Sequence, residues 1–183
     1  MKGFGIMKKI ICKSGLFAGL MALLIFIDQW TKYLTRTKLA DGNKVLIPNA
    51  LELTYVKNTG AAWGILSNGT VFLAILSIVL CLFFLYLYIR IPCEKKYVPL
   101  MILAVCVMAG AIGNMYDRIV FQFVTDFIYI SLINFPVFNF ADMCVTFSCF
   151  ITMVLVFTKY KDEDFSFFTP WKKKKESVAE DAE

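Results

Sequence analysis

The feature that most constrains this chain is a set of long apolar stretches without a charged residue. The stretch from Thr70 to Ile89 runs for 20 residues without an acid or a base, and Tyr97 to Tyr116 is also free of charge. An α-helix needs about 20 such residues to cross the hydrocarbon core of a bilayer. With 59% hydrophobic and only 18% charged residues, the chain is predicted to be an integral membrane protein rather than a soluble one.

Two further segments complete a predicted set of four spans, at about 14–34, 70–89, 97–116 and 138–158, in one domain covering 1–183. The first span is the most ambiguous. Its continuous apolar part, Leu16 to Ile27, has 12 residues and follows several lysines, as the core of a cleaved signal peptide does. No small-residue cleavage site follows it, so an uncleaved helix is the preferred interpretation. The fold class is therefore an all-α membrane protein with four transmembrane helices.

The segment between the first two spans has a different pattern. Val45 to Ile47 and Leu51 to Val56 are rich in β-branched and apolar residues, and turn-forming residues separate them. They predict short strands between the first and second helices. At the other end of the chain, Lys172 to Lys175 precede an acidic run, and we predict a disordered cytoplasmic tail from about residue 161.

The basic residues show which ends of the spans face the cytoplasm. Thirteen of the 19 lie before the first span, between the second and third, or after the fourth. The positive-inside rule then places both termini in the cytoplasm and the segment with the predicted strands outside. Because these cations cluster beside apolar stretches, they indicate membrane orientation rather than binding to nucleic acid.

The polar residue types restrict the chemistry. The chain has no histidine, which excludes the usual Ser-His and Cys-His nucleophile pairs. Its six cysteines are scattered, mostly in apolar runs, without the CxxC spacing of a metal or redox site. We expect no metal and no cofactor, so any catalysis must depend on carboxylates.

Four acids are predicted to lie at the outer ends of the spans. Asp28 has Lys32 one turn further on, and Asp117 stands beside Arg118, so both are interpreted as members of structural ion pairs. Asp126 and Asp142 have no basic neighbour. Asp142 could simply cap the fourth helix and Asp126 could be a solvated loop acid, and spacing alone does not choose between these roles and catalysis.

A pair of carboxylates offers a specific chemistry. Two carboxylates brought close cannot both ionise easily, so one retains a proton while the other can activate water against a carbonyl carbon. An ion or proton pathway is the main alternative, but it would need polar groups through the bilayer midplane, and the second to fourth spans carry no ionisable acid or base there. A purely structural scaffold would leave Asp126 and Asp142 without a role.

Five motifs in order then resemble those of a known family. They are Asp28-Gln29-Trp30-Thr31-Lys32, Asn58-Thr59-Gly60-Ala61-Ala62-Trp63-Gly64, Gly113-Asn114-Met115-Tyr116-Asp117-Arg118, Val124-Thr125-Asp126-Phe127 and Phe138-Asn139-Phe140-Ala141-Asp142. The chain resembles lipoprotein signal peptidases, also called signal peptidase II, which are four-helix aspartic peptidases of the bacterial inner membrane. Two departures are Trp63, where the family often has Phe, and Gln122, where a Gly is common and a special backbone angle is expected.

The resemblance implies roles for individual residues. It makes Asp126 and Asp142 the catalytic pair, and Asp28 and Lys32 the family's supporting DxxxK. The pocket that supports them or holds substrate would include Asn58, Gly60, Asn114, Asp117, Arg118, Asn139 and Ala141. For Asn58, hydrogen bonding to the substrate chain and formation of a turn before Gly60 are equally good interpretations.

The resemblance also implies a substrate, a location and a small extracytoplasmic β cradle, formed over the site by the short strands between the first and second helices. The substrate would be a diacylglyceryl-modified prolipoprotein, cut before the lipidated cysteine at the extracytoplasmic face of the bacterial inner membrane. Membrane lipid is the other expected partner, nucleic acid is not expected, and we expect a monomer.

Overall fold

The computed structural model describes residues 2–60 and 69–168, and for residues 2–13, Leu16 and Phe168 it describes the backbone alone. Four long helices form its frame: α1 Lys2–Lys38, α2 Thr70–Arg90, α3 Val98–Phe121 and α4 Phe140–Thr158. Helix α3 is central, because it packs against α1, α2 and α4. Its residues are buried far more than those of α2 and α4, whose exposed apolar side chains are those expected to face lipid.

Three helical segments in the described part of the chain are long and apolar enough to cross a membrane. They are Thr70–Arg90, Lys95–Phe121 and Phe140–Thr158, which agree with the second to fourth predicted spans. Helix α1 extends beyond the predicted span at both ends, and its second half carries Asp28, Lys32 and Arg36. The first span therefore stays a prediction.

A small antiparallel sheet covers one end of the helices, in the order β1-β2-β3. The first two strands, β1 Lys44–Ile47 and β2 Leu51–Asn58, lie where short strands were predicted between α1 and α2, and they pair as an antiparallel hairpin. The third strand, β3 Val124–Tyr129, comes from the connection between α3 and α4 and was not predicted. It pairs with β2 so that Val56 lies opposite Asp126. The cradle is therefore built from two connections rather than one.

The start of β3 depends on how α3 ends. Gln122, the residue after the helix, has φ 63° and ψ 14°, which is the left-handed conformation that terminates many helices. Its backbone carbonyl accepts a hydrogen bond from Thr70 Oγ1 at 3.2 Å, which ties this corner to the first residue of α2. The special backbone angle expected at this position is thus present, although Gln and not Gly adopts it.

An aromatic cluster lies at the opposite end of the helices, and it includes part of the tail that was predicted to be disordered. Residues Asp162–Phe168 form a 3₁₀ helix, where disorder was predicted from about residue 161. Phe165 and Phe167 pack against a cluster that includes Tyr97 and Tyr160, and Asp164 forms an ion pair with Lys96. Burial of these rings offsets the cost of ordering the segment. Residues 169–183, including the lysine run, lie outside the described residues.

Candidate active site

A fully buried lysine lies at the centre of the polar residues near the sheet. Lys32 is 0% exposed, and its Nζ donates to Asp28 Oδ2 and to Asn114 Oδ1, both at 2.8 Å. The same nitrogen lies 3.8 Å from Asp117 Oδ2. The predicted pair of Asp28 and Lys32 is therefore present, and it belongs to a network that joins α1 to α3. A buried ammonium without such partners would be prohibitively costly.

The predicted ion pair between Asp117 and Arg118 was wrong. Successive residues on a helix point in different directions, so Asp117 and Arg118 do not face each other. Asp117 is 0% exposed and its carboxylate faces Lys32 and Arg36, with Arg36 Nη1 3.7 Å from Asp117 Oδ2. The same oxygen accepts a hydrogen bond of 2.9 Å from the backbone N–H of Thr125. Asp117 thus holds β3 against the helices.

Two other site residues support the helix contacts. The backbone N–H of Ala141 donates to Asp28 Oδ1 at 3.0 Å, which joins the start of α4 to α1. Gly113 lies directly beneath the Asp28 carboxylate, where an added Cβ would overlap the carboxylate atoms. The predicted supporting role of Asp28 and Ala141 therefore has a direct geometric basis.

Asn139 and Asn114 connect the two carboxylates that were singled out as catalytic candidates. Asn139 Nδ2 donates to Asp126 Oδ1 at 2.6 Å and to Asn114 Oδ1 at 3.1 Å. Asn114 Nδ2 in turn donates to Asp142 Oδ1 at 2.8 Å. Because an ammonium can only donate, Lys32 fixes which end of the Asn114 amide faces it, and so directs the amide nitrogen towards Asp142.

Asp142 does cap α4, as the simpler interpretation held. Its Oδ2 accepts from the backbone N–H of Asn139 at 3.0 Å, and Asn139 Oδ1 accepts from the backbone N–H of Asp142 at 3.0 Å. This reciprocal capping box leaves Oδ1 to face Asn114. The capping role and a place beside Asp126 are compatible, because separate oxygens serve them.

Asp126 is a buried acid rather than a solvated one. It is 2% exposed, and its Oδ2 accepts from Asn58 Nδ2 at 2.8 Å while Oδ1 accepts from Asn139. Burial, followed by the nearby charge of Asp142, raises the pKa of Asp126 to about 7. Among the described residues, no ion pair involves Asp126 or Asp142.

Asn58 and Arg118 line the open side of the site. Asn58 forms the predicted turn, since its Oδ1 accepts from the backbone N–H of Gly60 at 2.9 Å, and its amide nitrogen contacts Asp126 instead of being free for substrate. Arg118 donates to the backbone carbonyl oxygens of Gly60 at 3.3 Å and of Asn114 at 3.5 Å. The rest of this motif, Ala61 to Gly64, lies outside the described residues.

A cavity of about 580 Å³ opens beside the two carboxylates. One part of its wall is polar, with Asn58, Asn114, Arg118, Asp126 and Asp142. The remainder is mainly apolar and comes from β3, the connection to α4 and the first turns of α4, including Ile130, Phe135, Pro136, Val137, Met143 and Phe147. The cavity can therefore hold a largely apolar segment while presenting a polar group of it to the acids.

Thr125 and Arg36 belong to the site but had not been singled out from the sequence. Thr125 is 0% exposed and Arg36 donates to its hydroxyl oxygen at 2.8 Å. Thr125 lay within a quoted motif, but its contacts depend on the unpredicted strand β3. Arg36 lies one turn after Lys32 on α1, so helical spacing was the available signal.

Comparison with known proteins agrees with the family resemblance of the sequence. The family model for signal peptidase (SPase) II matches residues 20–158. Among curated relatives, the lipoprotein signal peptidase of Enterococcus faecalis is 39% identical over 122 residues, covering 66% of this chain and 74% of that protein. That of Symbiobacterium thermophilum is 40% identical over 143 residues, covering 75% of this chain and 93% of that protein.

Solved structures give the same result for the three-dimensional fold. A bacterial membrane enzyme determined by the in meso method at 2.3 Å resolution superposes with a TM-score of 0.68 at 30% identity, covering 81% of this chain and 93% of that one. A second such enzyme, at 1.9 Å resolution, gives a TM-score of 0.66 at 29% identity, covering 80% and 95%. From the matched motifs, the shared fold and the family model, this chain belongs to the signal peptidase II family.

Proposed function

We propose that this chain is a membrane aspartic endopeptidase that removes the signal peptide from diacylglyceryl-modified prolipoproteins, cutting before the lipidated cysteine. Family membership and the lipoprotein signal peptidases among its relatives support the substrate class. The observation that carries the mechanism is the pairing of Asp126 and Asp142 through Asn139 and Asn114, on the polar wall of a cavity and without a cation partner among the described residues.

The two carboxylates have different surroundings, which suggests different roles. Asp142 lies in the first turn of α4, where the helix dipole favours a negative charge. Asp126 has a pKa raised to about 7, so it is mostly protonated below about pH 7. In the proposed mechanism Asp142 is the base and Asp126 is the acid, although the pair titrates as a unit.

The reaction then follows from these two protonation states. Asp142 takes a proton from water as the water oxygen attacks the scissile carbonyl carbon, while Asp126 gives its proton to the carbonyl oxygen. The resulting diol collapses when the C–N bond breaks and a proton passes from Asp142 to the leaving nitrogen. Asp126 recovers a proton from the diol, so both acids return to their starting states.

The lining of the cavity is suited to a substrate that is partly apolar. Its wall of Ile130, Phe135, Val137 and Phe147 suits apolar side chains of a signal peptide, while the scissile bond would face the acids. The lipid chains of the substrate could remain in the bilayer. The groups named here all come from one chain, and we propose that it acts as a monomer.

The decisive experiment compares acid variants on lipidated and unlipidated substrate. Purified protein in proteoliposomes is incubated with a diacylglyceryl-modified precursor and, separately, with the same precursor without the lipid. We expect cleavage of the lipidated form only, and its loss in Asp126→Asn and in Asp142→Asn. Asp164→Asn is the matched control, since Asp164 pairs with Lys96 at the opposite end of the helices. Cleavage retained by either site variant would refute the acid pair.

From the distribution of basic residues, we propose that both termini are cytoplasmic and that the acids lie at the outer face of the membrane. Cys93 is exposed in the connection between α2 and α3, and Gly42 is exposed before β1. In intact cells, a membrane-impermeant maleimide should label a chain whose sole cysteine is Gly42→Cys and should leave a chain with Cys93 alone unlabelled. The opposite pattern would invert the topology.

A further inference from the structure

The last turn of α1 carries a cation that joins three elements. Arg36 Nη1 donates to Thr125 Oγ1 in β3 at 2.8 Å and lies 3.7 Å from Asp117 Oδ2 in α3. The guanidinium also packs over the ring of Phe121, with Cζ 4.4 Å from the ring centroid. A planar group can stack and donate in this way at the same time, whereas a lysine ammonium cannot. Arg36 therefore contacts α3 and β3 from α1.

Thr125 is held at both its backbone and its side chain. Its backbone N–H donates to Asp117 Oδ2 at 2.9 Å and its Oγ1 accepts from Arg36. The residue is 0% exposed, so water cannot replace these partners. Thr125 and Asp126 share a rigid, planar peptide unit, and a shift of Thr125 therefore also moves Asp126.

The other supports of β3 act from different directions. The ladder with β2 pairs Thr125 with Lys57 and Asp126 with Val56, and its register shifts beyond Asp126, between Leu53 and Val56. The carbonyl oxygen of Phe138 accepts from the backbone N–H groups of Phe127 and Ile128, which ties the later part of β3 to the approach to α4. Among the described residues, Arg36 supplies the side-chain hydrogen bond between α1 and β3.

We propose that Arg36 is a positioning residue for the peptidase reaction: with Asp117 it fixes Thr125, and so sets the place of Asp126 relative to Asp142. The inference rests on the proposed function. Arg36 is not among the residues that line the cavity, so it acts through β3 and not through contact with substrate. Displacement of a reacting group by about 1 Å can lower a rate about 100-fold, which is the order of effect expected here.

The first test measures kcat and KM for cleavage of a diacylglyceryl-modified precursor in proteoliposomes. Arg36→Met removes the charge and the hydrogen bond while keeping an unbranched side chain, and we expect kcat to fall about 10- to 100-fold with KM unchanged. The matched control is Lys38→Met, which removes an exposed cation from the same turn of α1. We expect the control to have wild-type kcat.

The second test shows whether the effect runs through Thr125. Thr125→Val removes the hydroxyl but keeps the backbone bond to Asp117, and it should also lower kcat. The double variant with Arg36→Met should be no slower than Arg36→Met alone, because both changes break the same contact. Arg36→Lys keeps the charge without the planar group and should give an intermediate kcat.

The outcomes separate this inference from the proposed function. If Asp126→Asn abolishes cleavage while Arg36→Met and Thr125→Val keep wild-type kcat, the inference is wrong and the proposed function stands. If Asp126→Asn retains cleavage, the proposed acid pair itself fails. Should Arg36→Met not fold, Thr125→Val decides alone. Additive losses in the double variant, or a rise in KM without a fall in kcat, would also overturn the positioning role.

Discussion

Replacement of Lys32 by methionine should destabilise the protein strongly. The substitution keeps the length and apolar stem of the side chain but removes a charge that is 0% exposed. Asp28 and Asp117, both buried, then lose the cation they share, and Asn114 Oδ1 loses its 2.8 Å donor. Removing one partner of a buried ion pair costs about 3–5 kcal/mol. At about 2–4 °C per kcal/mol for a chain of this size, the unfolding midpoint should fall by about 6–20 °C.

Thermal unfolding in detergent, followed by tryptophan fluorescence, measures this loss. Lys38→Met is the control, since Lys38 is an exposed cation near the end of the same helix. Adding Asp28→Asn to Lys32→Met removes one of the uncompensated acids and should restore part of the midpoint. A Lys32→Met midpoint within about 2 °C of wild type, or a double variant that is no more stable than the single, would refute the view that Lys32 neutralises buried acids.

Three further predictions concern pH, the end of α3 and the contact between α1 and α3. Because the pKa of Asp126 in the substrate-free protein is about 7 and the mechanism needs its proton, kcat/KM should fall about tenfold per pH unit above about pH 7; a constant kcat/KM up to about pH 9 would contradict this. Gln122→Gly should raise the unfolding free energy by about 1 kcal/mol in a thermal unfolding assay, since Gln122 has φ 63°, and an unchanged midpoint would argue against strain. Gly113→Ala should lower the free energy of unfolding by about 1–3 kcal/mol, because the added methyl group would overlap with Asp28. Gly19→Ala is the control, since the space around Gly19 is open. Equal thermal unfolding midpoints for the two variants would contradict the close approach of Gly113 to Asp28.

The helical part of the fold could be predicted from sequence because it depends on local properties. Long uncharged runs gave the second to fourth spans to within a few residues of α2, α3 and α4. The 3₁₀ helix at Asp162–Phe168 was missed because its order comes from rings on other segments, such as Tyr97 and Tyr160. The prediction of disorder rested on the polar run from Lys172 onwards and was extended back to about residue 161.

The site shows the same division between local and distant contacts. The capping role of Asp142 and the pairing of Asp28 with Lys32 involve neighbours within four residues, and both were anticipated. The predicted partner of Asp117 was wrong because the sequence shows only the adjacent Arg118, whereas the actual partners, Lys32 and Arg36, are far away in sequence. Strand β3 was missed because its pairing with β2 joins residues about 70 positions apart, such as Val56 and Asp126.

The placement of Asp28 and Lys32 one turn apart has a consequence for how the chain is made. A helix that carries an acid and a base four residues apart can enter the bilayer with its charges already neutralised, before any other span has been synthesised. Asp117 has no such partner on its own helix and meets Lys32 and Arg36 only when α3 packs against α1. We therefore expect α1 to insert independently, while the end of α3 near the sheet becomes stable only after it docks, so that the order of synthesis and the order of assembly coincide.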